Sequence, residues 1–128
     1  MTSINSVLGP IDSSELGFTL MHEHVMISAS GLSRHYPALL GPNKETRAIA
    51  SLKKAKAAGI QTILDATTFD LGRDPELLKE VSEGSGVNLI NVTGWWLDVP
   101  RFLQGVGPNQ MADEFVKDIQ EGLSLIHI

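Results

Sequence analysis

The sequence predicts an α/β fold, the N-terminal part of a (β/α)8 TIM barrel holding about three βα units. Three observations carry that expectation. Strand-like and helix-like segments alternate as β, α, β, α, β, α along the 128 residues. The strands are near-continuous apolar runs, the pattern of parallel strands covered by helices. Each also ends in a polar or aromatic cluster, "HEH", "DATTFD" and "TGWWLD", at the carboxyl ends where α/β folds bind ligands. A doubly wound sheet is the alternative, but no glycine-rich phosphate loop follows any of these strands. A closed barrel takes ~250 residues, so this chain is expected to be part of one.

The elements follow in order. After a lead-in punctuated by Gly, Pro and Ser ("LGPIDSSELG"), "FTLMHEHVMI" is apolar and β-branched enough for a buried strand. A loop with "HYPALLGPN" leads to a helix over Glu45 to Ala58, where Ile49, Leu52 and the later alanines share a stripe and Gly59 marks the stop. The second strand is Ile60 to Thr67. A second helix follows "FDLGRD", with Asp74 as N-cap and Pro75 at the next position, where no amide partner is needed. Val87 to Gly94 is the third strand. A long Gly/Pro loop then precedes a helix in which Met111, Phe115 and Ile119 recur at i, i+4 and i+8.

Composition narrows the function classes. Ten basic against fifteen acidic residues give a net charge of -5, with no basic block to track a phosphate backbone, so no nucleic-acid partner is expected. The start "MTSINSVLGP" lacks a signal-peptide pattern, and no apolar run approaches the ~20 residues of a membrane span, so no membrane partner is expected either. Without cysteine there is no disulfide framework and no thiolate metal site. A cytoplasmic protein is the expectation.

Within the first strand, "TLMHEHVMI" sets two imidazoles around a carboxylate in an apolar run. Side chains alternate along a strand, so His22 and His24 are expected on one face, ~6.6 Å apart along the backbone, with Glu23 turned toward the helix layer. Two neutral imidazoles so placed can converge on one cation, zinc or a related transition metal. The competing reading is a pair of core or loop histidines satisfied by backbone carbonyls.

The segment "GFTLMHEHV", Gly17 to Val25, resembles the G-x-T-L-x-H-E-H signature of the phosphotriesterase-like family of the amidohydrolase superfamily. The likeness continues through "TFDLGRD" (Thr68 to Asp74) and "TGWWLD" (Thr93 to Asp98) to "DIQEG" (Asp118 to Gly122). The resemblance implies a (β/α)8 barrel whose first strand supplies His22 and His24 to the more buried ion of a two-metal centre. It implies hydrolysis of phosphotriester or lactone esters by attack of a metal-bridging hydroxide, with two divalent ions per complete site. Zinc is the leading candidate, and cobalt, manganese and iron also accept imidazole nitrogen. A small neutral ester calls for apolar and aromatic walls. Trp96 and Leu71 stand where the family lines its substrate pocket. Tryptophan at that position tilts toward the phosphotriesterase members, against core packing as the alternative for both Trp95 and Trp96. Arg73 and Asp74 are expected as turn and cap, Asp65 as a tether between strands, and His35 as a solvated loop residue.

The likeness spans about Val7 to Leu123, so residues 1–123 are expected to be the N-terminal portion of a phosphotriesterase-like TIM-barrel domain and residues 124–128 ("SLIHI") a divergent tail, a truncation scar in which His127 matches no ligand position. In the family, the bridging lysine and further ligands come from later strands, and no counterpart falls within this chain. No catalytic residue is therefore assigned here. The alternative is a non-catalytic binding or relic protein that keeps the pocket without the chemistry. A homodimer is compatible with the complete protein.

Overall fold

The computed structural model describes residues 2–122; Met1 and residues 123–128, with the expected tail and His127, lie outside it. The lead-in is a hairpin. Strands β1 (Ser3–Ser6) and β2 (Gly9–Asp12) pair antiparallel around Val7 and Leu8. The Ser6 hydroxyl donates to Gly9 O at 2.7 Å and accepts the Leu8 N–H at 3.2 Å, which closes the turn. Val7 at its tip is buried, and its N–H donates to Leu89 O at 2.9 Å. The sequence reading missed this hairpin because its residues are too polar to show an alternating apolar signal.

The main sheet has three parallel strands in the order β3 (Thr19–Glu23), β4 (Thr62–Asp65), β5 (Asn88–Asn91). Between β3 and β4 run a short helix α1 (Leu32–His35), a 3-10 turn (Pro37–Leu40) and helix α2 (Lys44–Ala57). Helix α3 (Pro75–Ser85) connects β4 to β5, and α4 (Pro108–Glu121) follows β5 after a long loop. As expected, Asp74 caps α3, accepting the Leu77 N–H at 3.2 Å, with Pro75 behind it. The predicted βα order and parallel sheet are both present.

Helices α2 and α3 cover one face of the sheet. Ile63 and Leu89, at alternate positions of their strands, meet Ala48 and Leu52 of α2 and Leu77, Leu78 and Val81 of α3 in one apolar core with Val7 and Val87. Gly84 permits the close approach of these helices: a Cβ there would lie 2.7 Å from Ile49 Cδ1. Helix α4 packs less deeply. Met111 and Phe115 are half-buried, but Ile119 is exposed, so the expected apolar stripe is covered over only part of its length.

The strands are shorter than predicted. At β4 the reason is local: the Asp65 carboxylate accepts the Thr67 N–H at 3.0 Å, drawing that amide away from the ladder. At β3 the register with β4 slips between Leu20 and Glu23, and the last pairing bond runs from Ala66 N–H to Glu23 O at 2.8 Å. Glu23 is exposed and, after the slip, stands opposite Asp65.

Candidate functional site

The carboxyl ends of β3 and β4 bring His22 and His24 together. Their ring centroids are 5.4 Å apart in an edge-on arrangement with an interplanar angle of 73°. His22 is exposed and His24 half-buried. His22 sits on β3, whereas His24 lies just beyond it and is seated by β4's following loop: its Nδ1 is 3.0 Å from the Thr67 hydroxyl oxygen. Thr67 in turn donates both its hydroxyl and its backbone N–H to Oδ1 of Asp65. Asp65 and Thr67 are each 1% exposed. Burial pushes the Asp65 carboxyl above its usual value, a rise that the Thr67 hydrogen bonds and the charge of His24 oppose.

Two imidazoles in mutual contact could offer nitrogen donors to one divalent cation, which is half of a four-coordinate shell. Among the described residues, no group of three or more His, Cys, Asp or Glu side chains gathers in metal-binding proximity. Asp65 is occupied by Thr67, two residues on in its own segment, and reaches the β3 unit only through the contact of Thr67 with His24.

Leu71 and Trp96 sit on adjoining loops. Leu71 ends the 3-10 turn Phe69–Leu71, and its carbonyl accepts the Ser28 N–H at 2.9 Å, which ties the loop after β3 to the loop after β4. Asp70, one residue earlier, accepts the backbone N–H of Trp96 at 3.0 and 3.3 Å. Leu71 is half-buried, and the Trp96 side chain is 67% exposed. Trp95 instead packs on Phe115 of α4, with ring centroids 4.9 Å apart, as the packing alternative held. His35 is exposed.

Sequence reasoning missed the polar framework beneath these loops. Arg73 is more than a turn residue: it donates to Val92 O at 2.8 Å and faces Asp118 at 3.9 Å, while the Thr93 hydroxyl donates to the same Asp118 carboxylate. The partners are 19 to 45 residues apart, and no local pattern marks such contacts. Beside this framework lies a cavity of about 190 Å3 walled by Phe69, Trp95, Phe102 and Phe115 with Arg73 and Glu114. Neither Trp96 nor Leu71 lines it.

The sequence model of the phosphotriesterase family matches residues 2–128. The chain belongs to the phosphotriesterase family. Similar proteins include a phosphotriesterase homology protein of Mycobacterium tuberculosis, 36% identical over 97% of this chain and 41% of that protein. An aryldialkylphosphatase of Saccharolobus solfataricus is 34% identical over 88% of this chain and 37% of its own length. An N-acetyltaurine hydrolase of Xenopus tropicalis is 27% identical over 93% and 43% respectively. The chain therefore spans about two fifths of the length of the curated relatives it matches. Its parallel three-stranded sheet is the N-terminal part of the phosphotriesterase-family barrel. Among the described residues, no helix is long and apolar enough to cross a membrane.

Proposed function

We propose that this phosphotriesterase-family chain is the N-terminal part of a metal-dependent hydrolase of phosphotriester or lactone esters, with His22 and His24 holding a divalent cation. The observation that carries the proposal is the meeting of the two rings, 5.4 Å apart, at the carboxyl end of the parallel sheet. A bound cation, zinc before cobalt, manganese or iron, supplies Lewis-acid polarisation of the ester oxygen and acidification of a water. The chain's own part is to position donors and receive the substrate. The bond from Ala66 N–H to Glu23 O fixes the end of β3 beside β4, and the exposure of His22 leaves an open approach to the pair. Leu71 and the exposed Trp96 ring offer apolar contact to a neutral small-molecule ester, which needs no cationic clamp. Relatives named for hydrolysis of an aryl dialkyl phosphate and of N-acetyltaurine support the hydrolase class rather than a single substrate.

The aromatic cavity beside Trp95 favours a second reading, a binding protein without chemistry, because such walls hold apolar ligands with no metal. Two measurements separate the readings. Metal content is determined on the zinc-loaded, dialysed chain and on the His22→Ala, His24→Ala double variant; equal content in both rejects the ligand assignment. Turnover of an aryl dialkyl phosphate and of a lactone by a full-length protein that carries this chain is then followed with and without chelator. Chelator-sensitive hydrolysis supports the enzyme, and binding without hydrolysis supports the alternative.

A further inference from the structure

The contacts around Thr67 determine where the proton of His24 sits. Oδ1 of Asp65 lies 3.0 Å from the Thr67 backbone nitrogen, and an amide N–H can only donate, so Oδ1 is an acceptor there. The Thr67 hydroxyl points at the same oxygen and gives it its single proton. Its oxygen is left with lone pairs alone toward the ring of His24, whose Nδ1 stands 3.0 Å away. Only a protonated Nδ1 makes a hydrogen bond in that direction. A neutral imidazole protonated at Nδ1 carries its free electron pair on Nε2.

We propose that Asp65 and Thr67 form a positioning relay that holds His24 as the Nδ1–H tautomer and presents Nε2 as its donor to a divalent cation. The cation rests on the ligand reading above; the tautomer does not. Burial makes the relay effective. Asp65 and Thr67 are each 1% exposed, so water does not compete for the hydroxyl, and the backbone N–H fixes the carboxylate from the second side. Among the described residues the ring of His22 has no hydrogen-bond partner, so the relay acts on one histidine of the pair. Both relay residues come from the β4 unit, and the bond to His24 crosses to the β3 unit. Orientation of a histidine by a hydrogen bond at its other nitrogen typically changes metal affinity by about 10–100-fold.

The test is a two-bond proton–nitrogen correlation spectrum of the 15N-labelled chain, stripped of metal and held at about pH 8.5, where imidazoles are neutral. The His24 signals are assigned by their loss in His24→Gln. The expected result is a protonated Nδ1 and a bare Nε2 for His24. Thr67→Val should abolish that preference and weaken zinc binding at least tenfold, while Thr67→Ser, which keeps the hydroxyl, should retain both. A His24 protonated at Nε2 in the unmodified chain overturns the proposal, and that spectrum decides it even where Thr67→Val does not fold. An unchanged tautomer in folded Thr67→Val overturns it as well. The expected tautomer without any zinc binding leaves the relay standing and defeats the ligand reading instead.

Discussion

Replacing Gly72 by alanine disturbs the junction that carries Leu71. Gly72 has φ +84° and ψ 29°, a left-handed conformation that costs an L residue roughly 1–2 kcal/mol. An added Cβ would lie 2.2 Å from Ser28 Oγ and 3.1 Å from both Ser28 C and Ala29 O. The hydroxyl can rotate away. The backbone atoms cannot, because the Ser28 N–H is held by Leu71 O at 2.9 Å and any retreat stretches that bond. Overpacking of this kind adds about 1–3 kcal/mol, so Gly72→Ala should destabilise the chain by about 2–5 kcal/mol in all. Gly94→Ala is the matched control: its φ of +91° is nearly the same, and among the described residues no heavy atom beyond its own chain neighbours lies within 4 Å of the added Cβ. It should lose the conformational part alone. Urea unfolding of both variants, followed by fluorescence of Trp95 and Trp96, reads the difference. Equal losses would refute the close approach between the loops after β3 and β4.

Two further outcomes follow from the core and from the buried carboxylate. Leu89, 0% exposed between the sheet and α3, should cost about 2–5 kcal/mol when cut to alanine; a shift in urea midpoint equivalent to less than about 1 kcal/mol would mean that the helices do not cover this face as described. Asp65 has a carboxyl raised above the usual 3.8 by burial. Its contribution to stability is therefore full below 3.8 and is lost as pH rises through the raised value. Unfolding midpoints measured across that window should fall for the natural chain relative to Asp65→Asn; a constant difference, or one of opposite sign, contradicts the assignment.

The βα order was legible because apolar periodicity and capping are local signals. Asp74 and Pro75 marked the start of α3 correctly, since a cap is satisfied within one turn of its own sequence. The hairpin was not legible, because its tip is defined by a contact between Val7 and Leu89, far apart in the chain. Strand length was overestimated for a related reason. The apolar run of β4 continues past Asp65, but that side chain captures the Thr67 amide and ends the ladder, and propensity does not register a carboxylate that competes for backbone donors. Arg73 illustrates the same limit. As a turn residue it is visible from "LGRD", whereas its bond to Val92 O depends on where β5 ends.

The histidine pair combines both kinds of information. Alternation along a strand places His22 and His24 on one side, yet β3 closes at Glu23 and its register slips after Leu20, so alternation alone does not explain why the rings meet. His24 is seated by Thr67, 43 residues away, on a segment whose course is set by Asp65. The pair is therefore assembled by two βα units and not by one strand. A cation site built on it must depend on the β3–β4 ladder as much as on the imidazoles themselves. A peptide carrying "TLMHEHVMI" alone has the two rings but neither Thr67 to orient one of them nor Ala66 to fix the strand end between them.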